Sequence, residues 1–148
     1  MNYTIRPAPR LHYEWLKERT GGELSDGYRA IEALDSLVDF CPRCGLRHGR
    51  VRGMVGYSSW TPNSVRMDIA LDAPATFRAL LPHMFKYPFT EGGREMAFVV
   101  IASDNKRSLK LTEHTGFKEL HRLVDAHSPG VDLVVMMLRR SDCRKERL

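Results

Sequence analysis

The chain has 148 residues, which is enough for one domain with a single buried core. Hydrophobic residues make up 43% and charged residues 28%; this is ordinary globular composition, and no apolar run is long enough for a helix to span a bilayer. The net charge of +5 favours acidic partners such as phosphates. Part of that excess is local, in Arg139-Arg140 and Arg144-Lys145, and no aromatic residues interleave there, so nucleic-acid binding is not expected.

Residues 2–6 read as a short strand broken by Pro7 and Pro9, and residues 10–19 as a helix stopped at Gly21-Gly22. Ser25-Asp26 is placed to cap a second helix, in which Tyr28, Ile31 and Leu34 recur every three residues. Residues 37–41 are a candidate strand, and 42–49 a turn. The strand expected over 51–60 contains Gly53 and Gly56, a sign of a bulge or close backbone approach. After the turn Thr61-Pro62-Asn63, apolar Val65, Met67, Ile69 and Leu71 alternate with Arg66, Asp68 and Ala70, the period of a strand.

Asp72 is placed to cap the next helix, Pro74 suits its first turn, and Phe77, Leu80, Leu81, Met84 and Phe85 form its apolar stripe. Residues 96–102 form an apolar run of the kind buried on both faces. Residues 106–115 read as a helix stopped at Gly116, and 117–124 and 131–138 as two strands joined by His127-Ser128-Pro129-Gly130. The order implies a mixed α/β sheet of six to seven strands, mostly antiparallel, with helices on both faces. The crossover from Leu71 to Met96 is expected to be right-handed and to make those strands parallel. The expected organisation is one domain over 1–140 and a basic tail over 141–148. The first ten residues lack the apolar core of a secretory signal, and the three cysteines are an odd number, so a reducing, cytoplasmic setting is expected.

The most informative stretch runs from Met96 to Phe117. An apolar strand feeds Ser103-Asp104-Asn105, a helix opens, and it ends at Gly116-Phe117. Asn105 lies eleven residues before Gly116, and Ser108 lies three after Asn105. Gly53-Met54-Val55-Gly56-Tyr57 and Trp60-Thr61-Pro62-Asn63-Ser64-Val65 add weaker matches. In these spacings and in element order, nearly the whole chain resembles the GNAT superfamily of acyl-CoA N-acyltransferases, its small bacterial and phage-associated members in particular.

The resemblance implies an acetyl-CoA-dependent N-acetyltransferase, with acetyl-CoA as cosubstrate and a small amine or a protein amine as acceptor. A membrane partner is not implied, and a homodimer is compatible with it. The alternative is a catalytically degenerate member with a binding, virion or host-interaction role. The cofactor would lie between two splayed parallel strands, touching Ile69, Leu71, Ala75, Thr76, Ile101, Asn105 and Ser108. Asp68 would serve as base. Ser108 and Thr112 stand near or at the position of the family's acid, where Thr112 replaces the tyrosine found seven residues after the asparagine in many members. The loop Leu71-Asp72-Ala73-Pro74-Ala75-Thr76 lacks the glycines that usually cradle the pyrophosphate, which leaves Arg78 and Lys106-Arg107 as candidate phosphate contacts.

Cys41-Pro42-Arg43-Cys44-Gly45, with His48 nearby, is half of a zinc-binding pattern. The chain has no second ligand pair at finger spacing, so two reduced, metal-free thiols in a turn are expected. His12, His83 or Cys143 would complete a site only by folding back.

Overall fold

The computed structural model of the chain describes residues 2–143. Arg144-Lys145 and the rest of the expected basic tail beyond Cys143 lie outside the described residues. The strands are β1 (Tyr3–Pro7), β2 (Arg29–Asp35), β3 (Asp39–Phe40), β4 (Arg47–His48), β5 (Val51–Ser58), β6 (Ser64–Leu71), β7 (Met96–Ala102), β8 (Lys118–Ser128) and β9 (Val131–Arg139). The helices are α1 (Tyr13–Thr20), α2 (Pro74–Phe85) and α3 (Lys106–His114). A 3-10 turn, Arg10–His12, leads into α1, and a π-helical turn, Lys86–Glu91, follows α2. No helix among the described residues is long and apolar enough to cross a membrane.

Seven strands form one sheet in the order β1-β2-β5-β6-β7-β9-β8, and β3 and β4 pair separately. Every neighbouring pair in the large sheet is antiparallel except β6 and β7. The parallel pair is the one expected from the crossover through α2.

The alternation read in β6 divides the two faces. Val65 and Met67 enter the larger core with Phe77, Leu80, Met84 and Phe85 of α2, and Leu109 and Leu111 of α3 pack against the same cluster. On the other face, Tyr13, Trp15 and Leu16 form a smaller core with Tyr28, Ala30 and Met54, and Ala70 packs against it. Arg66 and Asp68, in phase with Ala70, therefore face α1. The two glycines of β5 serve these opposite faces. A Cβ on Gly53 would meet Thr76 and Leu80 of α2, and one on Gly56 would meet the Tyr28 hydroxyl and Leu16. Glycine is what lets both helical layers approach so closely.

The main departure from expectation is residues 29–35. They form β2, a central strand, rather than a helix capped by Ser25-Asp26. Tyr28 N–H donates to the Ser25 carbonyl in a turn, with Gly27 at φ +80°. From Ala30 to Asp35 every residue is buried, including two carboxylates. Glu32 is held by Arg6 at 2.8 Å and by His12 Nδ1 at 2.7 Å. Asp35 accepts hydrogen bonds from the backbone N–H of Leu37 and of Arg50, and from Arg52 Nε at 2.9 Å. Asp35 thus clamps both ends of the excursion that carries β3 and β4.

Three smaller corrections follow. The strand expected over 37–41 shrinks to Asp39–Phe40, paired with Arg47–His48. β7 alternates between buried and partly buried positions instead of being buried throughout. Asp72 does not cap α2; Ala73 holds that position without a side-chain hydrogen bond.

Candidate active site

β6 and β7 pair at Ser64–Met96, Val65–Ala97 and Arg66–Phe98, and go no further together. β5 continues to hold β6 as far as Leu71, and β9 holds β7 as far as Ala102. Each strand is drawn by its outer neighbour, so the two part toward their C-terminal ends. Between 67–71 and 99–102 no strand among the described residues bridges them. Open strand edges of this kind bind extended, amide-bearing ligands by adding their hydrogen bonds to the sheet. α2 begins just past the end of β6 and α3 just past the end of β7. Two helix N-termini therefore open at the mouth of the parting, where they favour anions.

Ile69, Leu71 and Ile101 lie on the two parted strands, partly buried against the larger core. Asn105 caps α3, its Oδ1 accepting the Ser108 N–H at 3.2 Å, and the residue is otherwise exposed. Ala75 is exposed in the first turn of α2. Thr76 is turned away: it is fully buried, its hydroxyl donates to Tyr3 Oη at 3.3 Å, and its N–H donates to the Ala73 carbonyl. The charge of Asp72 at this mouth is offset by Arg19 at 3.6 Å and Arg52 at 3.8 Å. Arg78, Lys106 and Arg107 are exposed.

On the α1 face, the Asp68 side chain is 17% exposed and stands 3.6 Å from Arg66 Nε. Burial pushes its carboxyl above the usual range, against the pull of Arg66. Tyr28 was missed by the sequence reading, which placed it on a helix stripe. Its ring lies 5.3 Å from that of Tyr13, and its hydroxyl sits over Gly56, the residue paired with Asp68 in the sheet. Burial first, and then the charge of Asp68, raises the Tyr28 hydroxyl's pKa. The signal in the sequence was Gly56, a mid-strand glycine that marks a close approach.

Two hydroxyls in this part of the fold are already engaged as donors. Thr112 is buried in α3 and donates to the Ser108 carbonyl at 2.7 Å. Tyr57 is fully buried and donates to the Met84 carbonyl at 2.7 Å. Ser108 is partly exposed one turn before Thr112.

Solved structures share this architecture. The spermidine/spermine N-acetyltransferase SpeG from Vibrio cholerae, in complex with manganese ions, matches with a TM-score of 0.71 at 16% identity, over 94% of this chain and 93% of that one. The spermidine N-acetyltransferase from the same organism, in complex with CoA and spermine, matches at 0.67 and 18% identity over 95% and 96%. The chain has the GNAT fold. The parted β6 and β7 are the strands expected to splay in a GNAT protein, and Asn105 and Gly116 bracket the helix after them. No protein-family model matches the chain, and no curated protein does. The likeness to GNAT structures thus resides in the fold rather than in extended sequence identity.

Proposed function

We propose that the protein is an acetyl-CoA-dependent N-acetyltransferase acting on a primary amine. The observation that carries this reading is the parting of β6 and β7 with a helix N-terminus at the end of each strand. The pantetheine arm fits the open edges at 67–71 and 99–102, where amides can continue the sheet. The phosphates fit the mouth, with Arg78, Lys106 and Arg107 at hand. Asn105 closes the arm's far side. The acceptor enters from the α1 face. Its neutral nitrogen attacks the thioester carbon, the C–S bond breaks, and the products are an amide and CoA. Backbone N–H groups near Leu71 stabilise the oxyanion. Asp68, whose carboxyl is raised above the usual range by burial, takes the proton that the nitrogen sheds, directly or through water. Solvent supplies the proton to the departing thiolate, because Thr112 and Tyr57 have none to offer.

Those committed hydroxyls also favour a second reading, a GNAT scaffold that binds acyl-CoA without turning it over. Acyl transfer to a panel of amines separates the two. That the Vibrio cholerae structure holds spermine makes polyamines a sensible first acceptor.

Cofactor binding comes first. Acetyl-CoA at about 100 times its dissociation constant stabilises a protein by about 2.7 kcal/mol. For a chain of this size that is a rise in Tm of roughly 5–10 °C. Asn105→Ala is expected to shrink the rise. The removed cap itself costs about 1 kcal/mol, so the shift, not the absolute Tm, is the readout. No shift at millimolar acetyl-CoA would sink the enzyme reading.

A further inference from the structure

We propose that the chain carries a structural zinc site formed by His12, Cys41, Cys44 and His48, remote in chemistry from the acyl-CoA cleft. One ligand atom from each of the four residues lies within 4.8 Å of all the others. His12 Nε2 is 3.5 Å from Cys41 Sγ, and His48 Nε2 is 3.2 Å from Cys44 Sγ. A tetrahedral zinc with ordinary bond lengths sets sulfur and nitrogen about 3.5 Å apart. Two of the sulfur–nitrogen pairs are thus already at about that spacing, and all four donor atoms are near enough to close on one ion.

The surroundings prepare these atoms as ligands. His12 Nδ1 is 2.7 Å from Glu32 Oε2, and both side chains are fully buried. Glu32 is in turn held by Arg6. His48 Nδ1 meets the Gly49 carbonyl. Each imidazole therefore keeps its proton on Nδ1 and turns a lone pair on Nε2 toward the thiols. A carboxylate or carbonyl behind each histidine is the usual outer support of a metal ligand. The backbone N–H groups of Arg43 and Cys44 lie beside the Cys41 sulfur and favour its thiolate. Cys41 N–H donates to the Leu46 carbonyl and Gly45 N–H to the Cys41 carbonyl, with Gly45 at φ +74°. This is a tight knuckle that presents two sulfurs to one point.

Beyond the Asp35 clamp at its base and the ion pairs Arg43–Glu18 and Arg50–Asp39, the segment has little to hold it. β3 and β4 pair over two residues each. Leu37, Val38, Phe40 and Leu46 are all more than half exposed. An isolated hairpin without a buried face is marginal in water. A metal that ties Cys41, Cys44 and His48 to His12 supplies the missing core and fixes the start of α1. Only two of the four ligands fall in one short turn with a third close by. The fourth, His12, comes from the turn between β1 and α1, where the buried carboxylate of Glu32 holds it.

The test uses the full chain, expressed with zinc and purified without chelator. Elemental analysis is expected to find about one zinc per chain. Cobalt(II) added to the reduced apoprotein is expected to give thiolate-to-metal bands and the intense ligand-field bands of a four-coordinate ion, both abolished by added zinc. Cys44→Ser and His12→Gln should each lose the stoichiometric zinc. Glu32→Gln should keep the ligand set and weaken zinc binding by roughly 10–100-fold. Removing the metal should lower Tm by roughly 10 °C. If the variants fail to fold, the wild-type cobalt spectrum still decides. Far less than one zinc per chain with no cobalt–thiolate bands overturns the proposal, as does a Cys41–Cys44 disulfide in the freshly purified protein. Zinc retained in full by His12→Gln overturns the four-ligand assignment. None of these readouts involves acetyl transfer, so they stand or fall apart from the enzyme reading.

Discussion

Asp68→Asn is expected to slow acetyl transfer about 10²-fold, the usual size of a lost general base. CoA binding should be unchanged, because Asp68 lies on the α1 face and not on the edge of β6 that opens toward β7. The pH profile carries the second half of the test. Burial raises the Asp68 carboxyl while Arg66 pulls it down, so the wild-type acid limb should lie above the usual carboxylate range and vanish in the variant. A group whose folded pKa is raised adds stability below its unfolded pKa and has lost that contribution once pH passes the folded value. At neutral pH Asp68 is therefore no source of stability, and the variant should melt no lower than wild type. A variant that is slow only because it is misfolded would betray itself there. Thr112→Ala is the contrasting substitution. Its hydroxyl proton is engaged with the Ser108 carbonyl, and turnover should change little. A large loss in Thr112→Ala with normal CoA binding would show that the roles are misassigned.

Asp35→Ala is expected to be the most costly single change to stability, about 3 kcal/mol, because two backbone N–H groups and a guanidinium lose one shared buried acceptor. That is a fall in Tm of roughly 10 °C, read by thermal melting. Acid should reveal the same interaction. Burial alone would raise the Asp35 carboxyl, but Arg52, then the N–H groups of Arg50 and Leu37, outweigh it and hold it below the usual value. The wild type therefore keeps this contribution above the unfolded-state pKa of about 3.9 and loses it as pH falls through the lower folded value. The variant should lack that part of the acid slope. Equal acid slopes in the two proteins would refute the clamp.

The sequence was most legible where one periodicity dominated. Strict alternation announced β6 and placed Asp68 on the face opposite Val65 and Met67. The apolar run into Asn105 and the glycine at 116 marked β7, α3 and both ends of that helix. Reading failed at β2. A strand with neighbours on both sides and helices over both faces buries every residue, so it shows no alternation. Glu32 then interrupts its apolar run, and the chance spacing of Tyr28, Ile31 and Leu34 imitates a helix. Asp72 looked like a cap because it stands just ahead of the helix, one residue short of the cap position that Ala73 takes. Its charge was instead claimed by Arg19 and Arg52, from distant parts of the chain. The cluster around Cys41 was half visible for the same reason. Local spacing reveals ligands within a turn, whereas His12 arrives through its tertiary contact with Glu32, which no local pattern records.

The unequal cores on the two faces have a consequence for how the protein can change. α2 and α3 rest on the large cluster, together with both walls of the cleft, while α1 and Tyr28 stand on the small one. Regions with less buried apolar area open at lower free energy than the global unfolding. The α1 face, where the proposed acceptor would enter, can therefore open more readily than the half proposed to hold acyl-CoA. Under the proposed function, substitutions on the α1 face would alter the choice of amine with little effect on the half proposed to hold acyl-CoA.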